Sequence, residues 1–145
     1  DIESTSSSMP VLAWPAPGAG ADDAAGIAAA SVVLGHGEAS RLVSETRRKD
    51  QVVSDIQAHC DTLRRGGALM IAARTTGAQA GAAAGAALAQ VARLAAEPVS
   101  AEELARARAI LESDLVYRRE TVQGLAHALG GCATIFGDLA REQAY

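Results

Sequence analysis

The three histidines, His36, His59 and His127, are the first candidates for chemistry, because imidazole binds metals and transfers protons near neutral pH. A catalytic zinc site of the type H-x-x-E-H needs two imidazoles one helical turn apart, with a carboxylate between them. None of the three has a histidine or cysteine three or four residues away. We therefore expect loop or surface histidines, and no catalytic residue or metal ligand among them.

The glycine-rich segment 35–40, Gly-His-Gly-Glu-Ala-Ser, superficially resembles a phosphate-binding loop, because it precedes the start of a helix. It lacks the lysine of a P-loop and follows a predicted helix where a P-loop follows a strand. The segment therefore predicts a tight turn between two helices. The serines of the chain have no histidine and acid at a spacing that would form a catalytic triad.

Two short basic groups, Arg47-Arg48-Lys49 and Arg64-Arg65, could bind a peptide carbonyl or carboxylate through charge-assisted hydrogen bonds. The alternative, which their positions favour, is a solvated helix end for the first group and a solvated turn for the second.

Composition excludes several classes of function. The 145 residues carry a net charge of −4, which provides no cationic field for nucleic acid or an anionic membrane. Apolar residues make up 49% and charged residues 21%, as in one folded domain. Cys60 and Cys132 form no C-x-x-C pair, and no apolar run is long enough to span a membrane.

The elements that must position these residues follow from periodicity and turn signals. A strand is predicted at 9–14, stopped by Pro15, then a helix capped by Asp22 or Asp23 that runs to about residue 34. A second helix, capped by Ser40, should end near Lys49. Residues 52–62 alternate as a strand with one buried face, and residues 68–73 follow as its hairpin partner after the turn at 64–67.

Two long helices complete the prediction. The first, at 77–96, carries Gly77, Gly81 and Gly85, which we expect to pack closely on the sheet. The second begins at a capping box formed by Ser100 and Glu103. It presents Leu104, Ala107, Leu111 and Leu115 on its apolar face, with a surface pair of Glu102 and Arg106. Gly124 and the Gly130-Gly131 pair weaken the remaining helix. The fold class is α+β, with an antiparallel sheet and helices on one face in the order β-α-α-β-β-α-α.

Residues 34–49 read Leu-Gly-His-Gly-Glu-Ala-Ser-Arg-Leu-Val-Ser-Glu-Thr-Arg-Arg-Lys. This segment resembles the pattern L-G-G-G-x-S-R-L-x-x-x-L-R-x-K of the insulinase, or pitrilysin, family of zinc metallopeptidases. That family includes the mitochondrial processing peptidase subunits. The resemblance covers roughly residues 9–145, with His36 in place of a family glycine. It implies residues 9–145 as the second, non-catalytic domain of one half of a longer parent chain. The small polar run at 4–8 separately predicts residues 1–8 as a flexible linker or cloning remnant.

In that family two similar halves enclose a chamber, and zinc binds to the first domain of one half, which this chain lacks. The resemblance therefore implies no cofactor in this fragment and zinc in the parent or a partner subunit. The opposite half supplies a substrate-binding arginine and, seven residues later, a tyrosine. These positions fall on Arg47 and Ser54, so the arginine is retained and the tyrosine is lost.

The function implied is a non-catalytic chamber wall that packs against the missing zinc-binding domain. The partners implied are the remaining domains of the parent or a homologous subunit, with a peptide substrate, no nucleic acid and no membrane span in this fragment. The alternative is a structural or partner-binding module from a non-peptidase relative. The family also suggests the periplasm or cell envelope as the compartment.

Overall fold

The computed structural model describes residues 7–139, in which four strands and several helices follow one another in the predicted order. The strands are β1 (Ser7–Ser8), β2 (Val11–Ala16), β3 (Asp55–Thr62) and β4 (Gly67–Thr76). The helices are α1 (Ala24–Gly35), a π-helix (Val43–Lys49), a 3₁₀ turn (Gly77–Gln79), α2 (Ala80–Ala96), α3 (Ala101–Arg119), α4 (Val122–Gly131) and a second short π-helix (Cys132–Phe136).

The sheet is antiparallel, as predicted, and is centred on β4. β3 pairs along one side of β4, from Asp55 opposite Arg74 to Thr62 opposite Gly67. β2 pairs along the other side of β4. β1 lies on that same side and pairs with the last two residues of β4. The predicted hairpin turn between β3 and β4 is closed by the Leu63 N–H, which donates to the Gly66 carbonyl at 2.8 Å.

The first strands differ from the prediction in two ways. Ser7 and Ser8 were expected in a linker spanning residues 1–8, yet they pair with Thr76 and Thr75 of β4; residues 1–6 lie outside the described residues. β2 also continues through Pro15, which was expected to stop it. β2 borders β4 on one side only, so Pro15 lies on an edge strand, where the missing N–H removes no bond of the sheet.

The predicted alternation of β3 is confirmed, although the strand begins at Asp55 and not at residue 52. Ile56 and Ala58 are buried, while the side chains of the alternate residues are exposed: Asp55, Gln57, His59 and Asp61. The buried side chains of β3 and β4 meet Leu34, Leu42, Ala83 and Ala87 from the helices, which form the main core on one face of the sheet.

Helix α1 meets the sheet at its last residue. The backbone of Gly35 approaches Ala58 of β3 so closely that a Cβ at Gly35 would lie 2.6 Å from the Ala58 Cβ. Asp23 occupies the predicted N-cap position, but its side chain makes no capping bond. The Ser40 hydroxyl is not a cap either, because it donates to the Gly37 carbonyl at 2.7 Å and so closes the turn between the helices.

The expected packing of the glycine stripe of α2 on the sheet is wrong. Ala83 and Ala87 face the sheet and are 1% and 2% exposed. Gly81 and Gly85 each precede one of these alanines by two positions, about 200° around the helix, and a Cβ added at either would meet nothing within 4 Å. The outer face of α2 therefore carries the glycines.

Helix α3 begins at the predicted capping box, with both reciprocal hydrogen bonds present. Ala107 is buried against Val32 and Val33 and Leu111 packs on the same cluster, as predicted, but Leu104 is 53% exposed and lies off this face. The expected surface pair is present, with Arg106 Nη1 at 4.0 Å from Glu102 Oε1. Gly124 lies in the first turn of α4, where a Cβ would collide with the Arg118 carbonyl, so this glycine permits the sharp turn from α3 to α4.

Candidate functional site

Arg47 projects from the π-helix and forms an ion pair with Glu38. Its Nη1 donates to Glu38 Oε1 at 2.8 Å, and Arg48 Nη2 donates to the other oxygen at 3.0 Å. The hydrogen bond from Arg48 and the charge of Arg47 hold the pKa of Glu38 below its ordinary value. The sequence favoured a solvated helix end for this basic group, and the structure shows Arg47 partly exposed and paired with Glu38.

Arg47 lines a hollow of about 320 Å³ beside β3. The other polar residues of this Arg47 hollow are His36 and Glu38 from the turn after α1 and the outward residues Asp55, Gln57 and His59 from β3. The hollow therefore joins the glycine-rich turn to the face of the sheet that the helices leave open.

Ser54 does not share the Arg47 hollow. Its N–H and its hydroxyl both donate to the Arg74 carbonyl, at 2.8 and 3.0 Å, so the hydroxyl is used in extending the β3–β4 pairing. Ser54 lines a second hollow of about 360 Å³ together with Gln51, Arg74 and Gln79. The structure thus places the two sequence-predicted residues in neighbouring but separate hollows.

The segment that connects the two hollows has an unusual backbone. Arg47 lies in a π-helix, in which the Asp50 N–H reaches back five residues to the Glu45 carbonyl at 2.9 Å. Gln51 follows with φ of +53°, a left-handed conformation that favours glycine. π-helical turns and left-handed non-glycine residues often occur at functional sites, and this segment has both.

The sequence did not predict the partly buried ion pair of Arg41 and Glu103. Arg41 Nε and Nη2 donate to the two carboxylate oxygens at 2.7 and 2.9 Å, and the side chains are only 10% and 20% exposed. The hydrogen bond from Arg41, with the two from Ser100, lowers the pKa of Glu103 to about 2. This pair joins the residues just before the π-helix to the start of α3, and neither side chain lines the Arg47 hollow. The capping box marked Glu103 and the family pattern includes Arg41, but nothing in the sequence showed that these two residues, 62 positions apart, are partners.

The residues present do not fit a zinc site. Within residues 7–139, no three histidine, cysteine, aspartate or glutamate side chains come together so as to hold a metal ion. His59 Nε2 lies 3.8 Å from Asp61 Oδ2, and both side chains are exposed. No helix in this described range is long and apolar enough to cross a membrane.

Comparison with known families and structures identifies the fold. The sequence profile described as the peptidase M16 inactive domain matches residues 2–111. The chain belongs to this family. The predicted kinship with the insulinase-like zinc peptidases is therefore confirmed, and this M16 domain is the inactive, peptidase-like part. No curated protein matches the chain.

Solved structures share the M16 fold over nearly the whole chain. The inactive peptidase domain of a candidate zinc protease from Bordetella parapertussis aligns with a TM-score of 0.79 at 23% identity, covering 96% of this chain and 76% of that one. A protease from Helicobacter pylori aligns with 0.78 at 21% identity, covering 93% and 34%. An M16 inactive domain from Pseudomonas fluorescens aligns with 0.77 at 18% identity, covering 95% and 33%. The chain thus spans about a third of the length of the last two proteins.

Proposed function

We propose that this M16 domain forms part of the wall of a peptide-binding chamber in a zinc metallopeptidase, and that it packs against a zinc-binding domain elsewhere in the parent or in a partner subunit. The observation that carries the proposal is the open face of the sheet, opposite the helices, with the Arg47 hollow at its edge.

The open face is unusually apolar for a sheet surface exposed to solvent. Its middle row runs from Ala13 through Met70 to His59, as the register of the three strands shows. The next row runs from Val11, which is 53% exposed, through Ala72 to Gln57. A solvated sheet face is normally polar, and apolar patches with polar rims mark sites of interaction. Small side chains leave room for an extended peptide, and β3 supplies polar groups along one side.

Arg47 is the residue that we propose contacts the peptide. The side chain is 44% exposed, and its ion pair with Glu38 holds the guanidinium near the outward residues of β3. A planar guanidinium with free N–H groups can donate to peptide carbonyl oxygens, as the family resemblance implies for this position.

The test is the Arg47→Ala variant of the full-length parent, assayed with its zinc-bearing half on an unstructured peptide. We expect kcat/KM to fall at least tenfold while the melting temperature changes by less than about 2 °C, because Arg47 is exposed and its surface ion pair contributes little stability. Arg108→Ala is the matched control, since Arg108 forms a comparable exposed ion pair on α3, at 2.7 Å from Glu112.

Equal activity of the two variants would contradict a substrate role for Arg47. A parent assembly that cleaves no peptide at all would favour the other function considered, a structural or partner-binding module.

A further inference from the structure

We propose that Arg74 is a second peptide-binding residue, whose guanidinium donates hydrogen bonds to an oxygen of the peptide in the hollow that it shares with Gln51, Ser54 and Gln79. This inference rests on the proposed function, because it extends the peptide path from the open face of the sheet into that hollow.

The position of Arg74 places it at the end of this path. It is exposed on the open face of β4, two residues beyond Ala72 in the apolar rows. Asp55 is its cross-strand partner, and Asp55 also lines the Arg47 hollow. Arg74 and Asp55 therefore form one row of the sheet, with Arg47 beside its Asp55 end. We infer that an extended chain crossing the open face along this row can reach both arginines.

The charge of Arg74 is not neutralised inside the described part of the chain. Opposite charges on facing residues of an antiparallel pair usually attract, yet no ion pair joins Arg74 to Asp55 or to another carboxylate within residues 7–139. The exposed arginines of the π-helix, by contrast, both bind Glu38. The Arg74 guanidinium thus remains able to donate all of its N–H groups to a ligand.

The surroundings of Arg74 are rich in hydrogen-bonding groups. The hollow of about 360 Å³ is lined by the amides of Gln51 and Gln79 and by hydroxyls that include Ser7 and Thr76. The left-handed backbone at Gln51, with φ of +53°, places this residue at the hollow. The guanidinium and the neighbouring amide groups can donate hydrogen bonds to an oxygen atom. A peptide offers such an oxygen in each backbone carbonyl and in its terminal carboxylate.

The experiment measures steady-state kinetics of the full-length parent with its zinc-bearing half, on one peptide prepared with a free and with an amidated C-terminus. For Arg74→Ala we expect KM to rise about tenfold and kcat to change by less than about twofold. The substitution removes hydrogen bonds that hold the peptide at a distance from the carbonyl that reacts, so binding weakens while the chemical step is unchanged. Arg74→Lys should recover part of this loss, and Arg108→Ala should leave both parameters unchanged.

The two peptides distinguish the ligand oxygen. A loss confined to the free peptide supports a terminal carboxylate, and an equal loss with both supports a backbone carbonyl. If Arg74→Ala matches Arg108→Ala on both peptides while Arg47→Ala lowers kcat/KM, this inference is overturned and the chamber-wall function stands. If neither arginine affects cleavage, both proposals are overturned.

Discussion

At the scale of single residues, the partly buried pair of Arg41 and Glu103 is the ion pair that joins the segment before the π-helix to the start of α3. Two charge-assisted hydrogen bonds compensate the removal of both charges from water, but Arg41 Nη1 is buried and has no partner in the described residues. A buried pair of this kind is sensitive to the loss of either member, because the remaining charge is left uncompensated.

Glu103→Gln should therefore destabilise the domain by about 3 kcal/mol, as measured by urea unfolding at pH 7. Glu112→Gln is the matched control, because it removes one carboxylate from an exposed pair on the same helix and should change stability by less than about 0.5 kcal/mol. Equal losses in the two variants would show that the buried pair does not anchor α3.

The same pair predicts a pH dependence. Folding lowers the pKa of Glu103 from its ordinary value of 4.5 to about 2, so its contribution is complete above pH 4.5 and is lost as pH falls toward 2. From that shift, the loss should be about 2–3 kcal/mol, and Glu103→Gln should lack this part of the profile. Parallel unfolding profiles of the two proteins between pH 5 and 2, measured by circular dichroism, would contradict this assignment.

Gln51 supports a third prediction at this scale. A left-handed φ costs a residue with a Cβ about 1 kcal/mol, which glycine avoids. Gln51→Gly should therefore leave stability unchanged or raise it by up to about 1 kcal/mol, and Gln51→Val should lower it by about 1–2 kcal/mol. A lower melting temperature for the glycine variant than for the valine variant would show that backbone strain is not what distinguishes this position.

At the scale of elements, the contact between α1 and β3 depends on one glycine. A side chain at Gly35 would overlap the backbone nitrogen and the Cβ of Ala58 and push the helix from the sheet. We expect Gly35→Ala to destabilise by about 2–4 kcal/mol, within the range for overpacked cores or larger, because the obstruction is backbone.

Gly26→Ala in the same helix is the control for that measurement. A Cβ there would meet nothing within 4 Å, and alanine is the better helix former, so the melting temperature should stay or rise slightly. Similar losses for the two substitutions would show that the close approach to Ala58 does not determine the cost of a side chain at Gly35.

The elements also show how far the sequence could predict this molecule. The alternation of β3, the hairpin and the capping box were readable because each depends on neighbours along the chain. The orientation of α2 was not, because in a helix of glycine and alanine the two faces differ by single methyl groups. At the site, the sequence identified Arg47 and Ser54 through the family pattern but could not show that each lies in a different hollow. Arg74 and the partner of Glu103 depend on contacts across the fold, which no local pattern encodes.

At the scale of the whole molecule, the account assigns opposite tasks to the two faces of the domain. The core lies between the helices and one face of the sheet, and in our proposal the open face of the sheet contacts the peptide. A photocrosslinking amino acid at Met70, in the middle row of the open face, tests this division directly when compared with the same group at Leu88, which is 48% exposed on α2.

The measurement uses the full-length parent assembled with its zinc-bearing half and depleted of zinc, so that a labelled peptide binds without being cleaved. We predict that the peptide crosslinks at position 70 and not at position 88, and that excess unlabelled peptide abolishes the product. Crosslinking at position 88 alone, or equally at both positions, would contradict the assignment of the open sheet face as a wall of the peptide chamber.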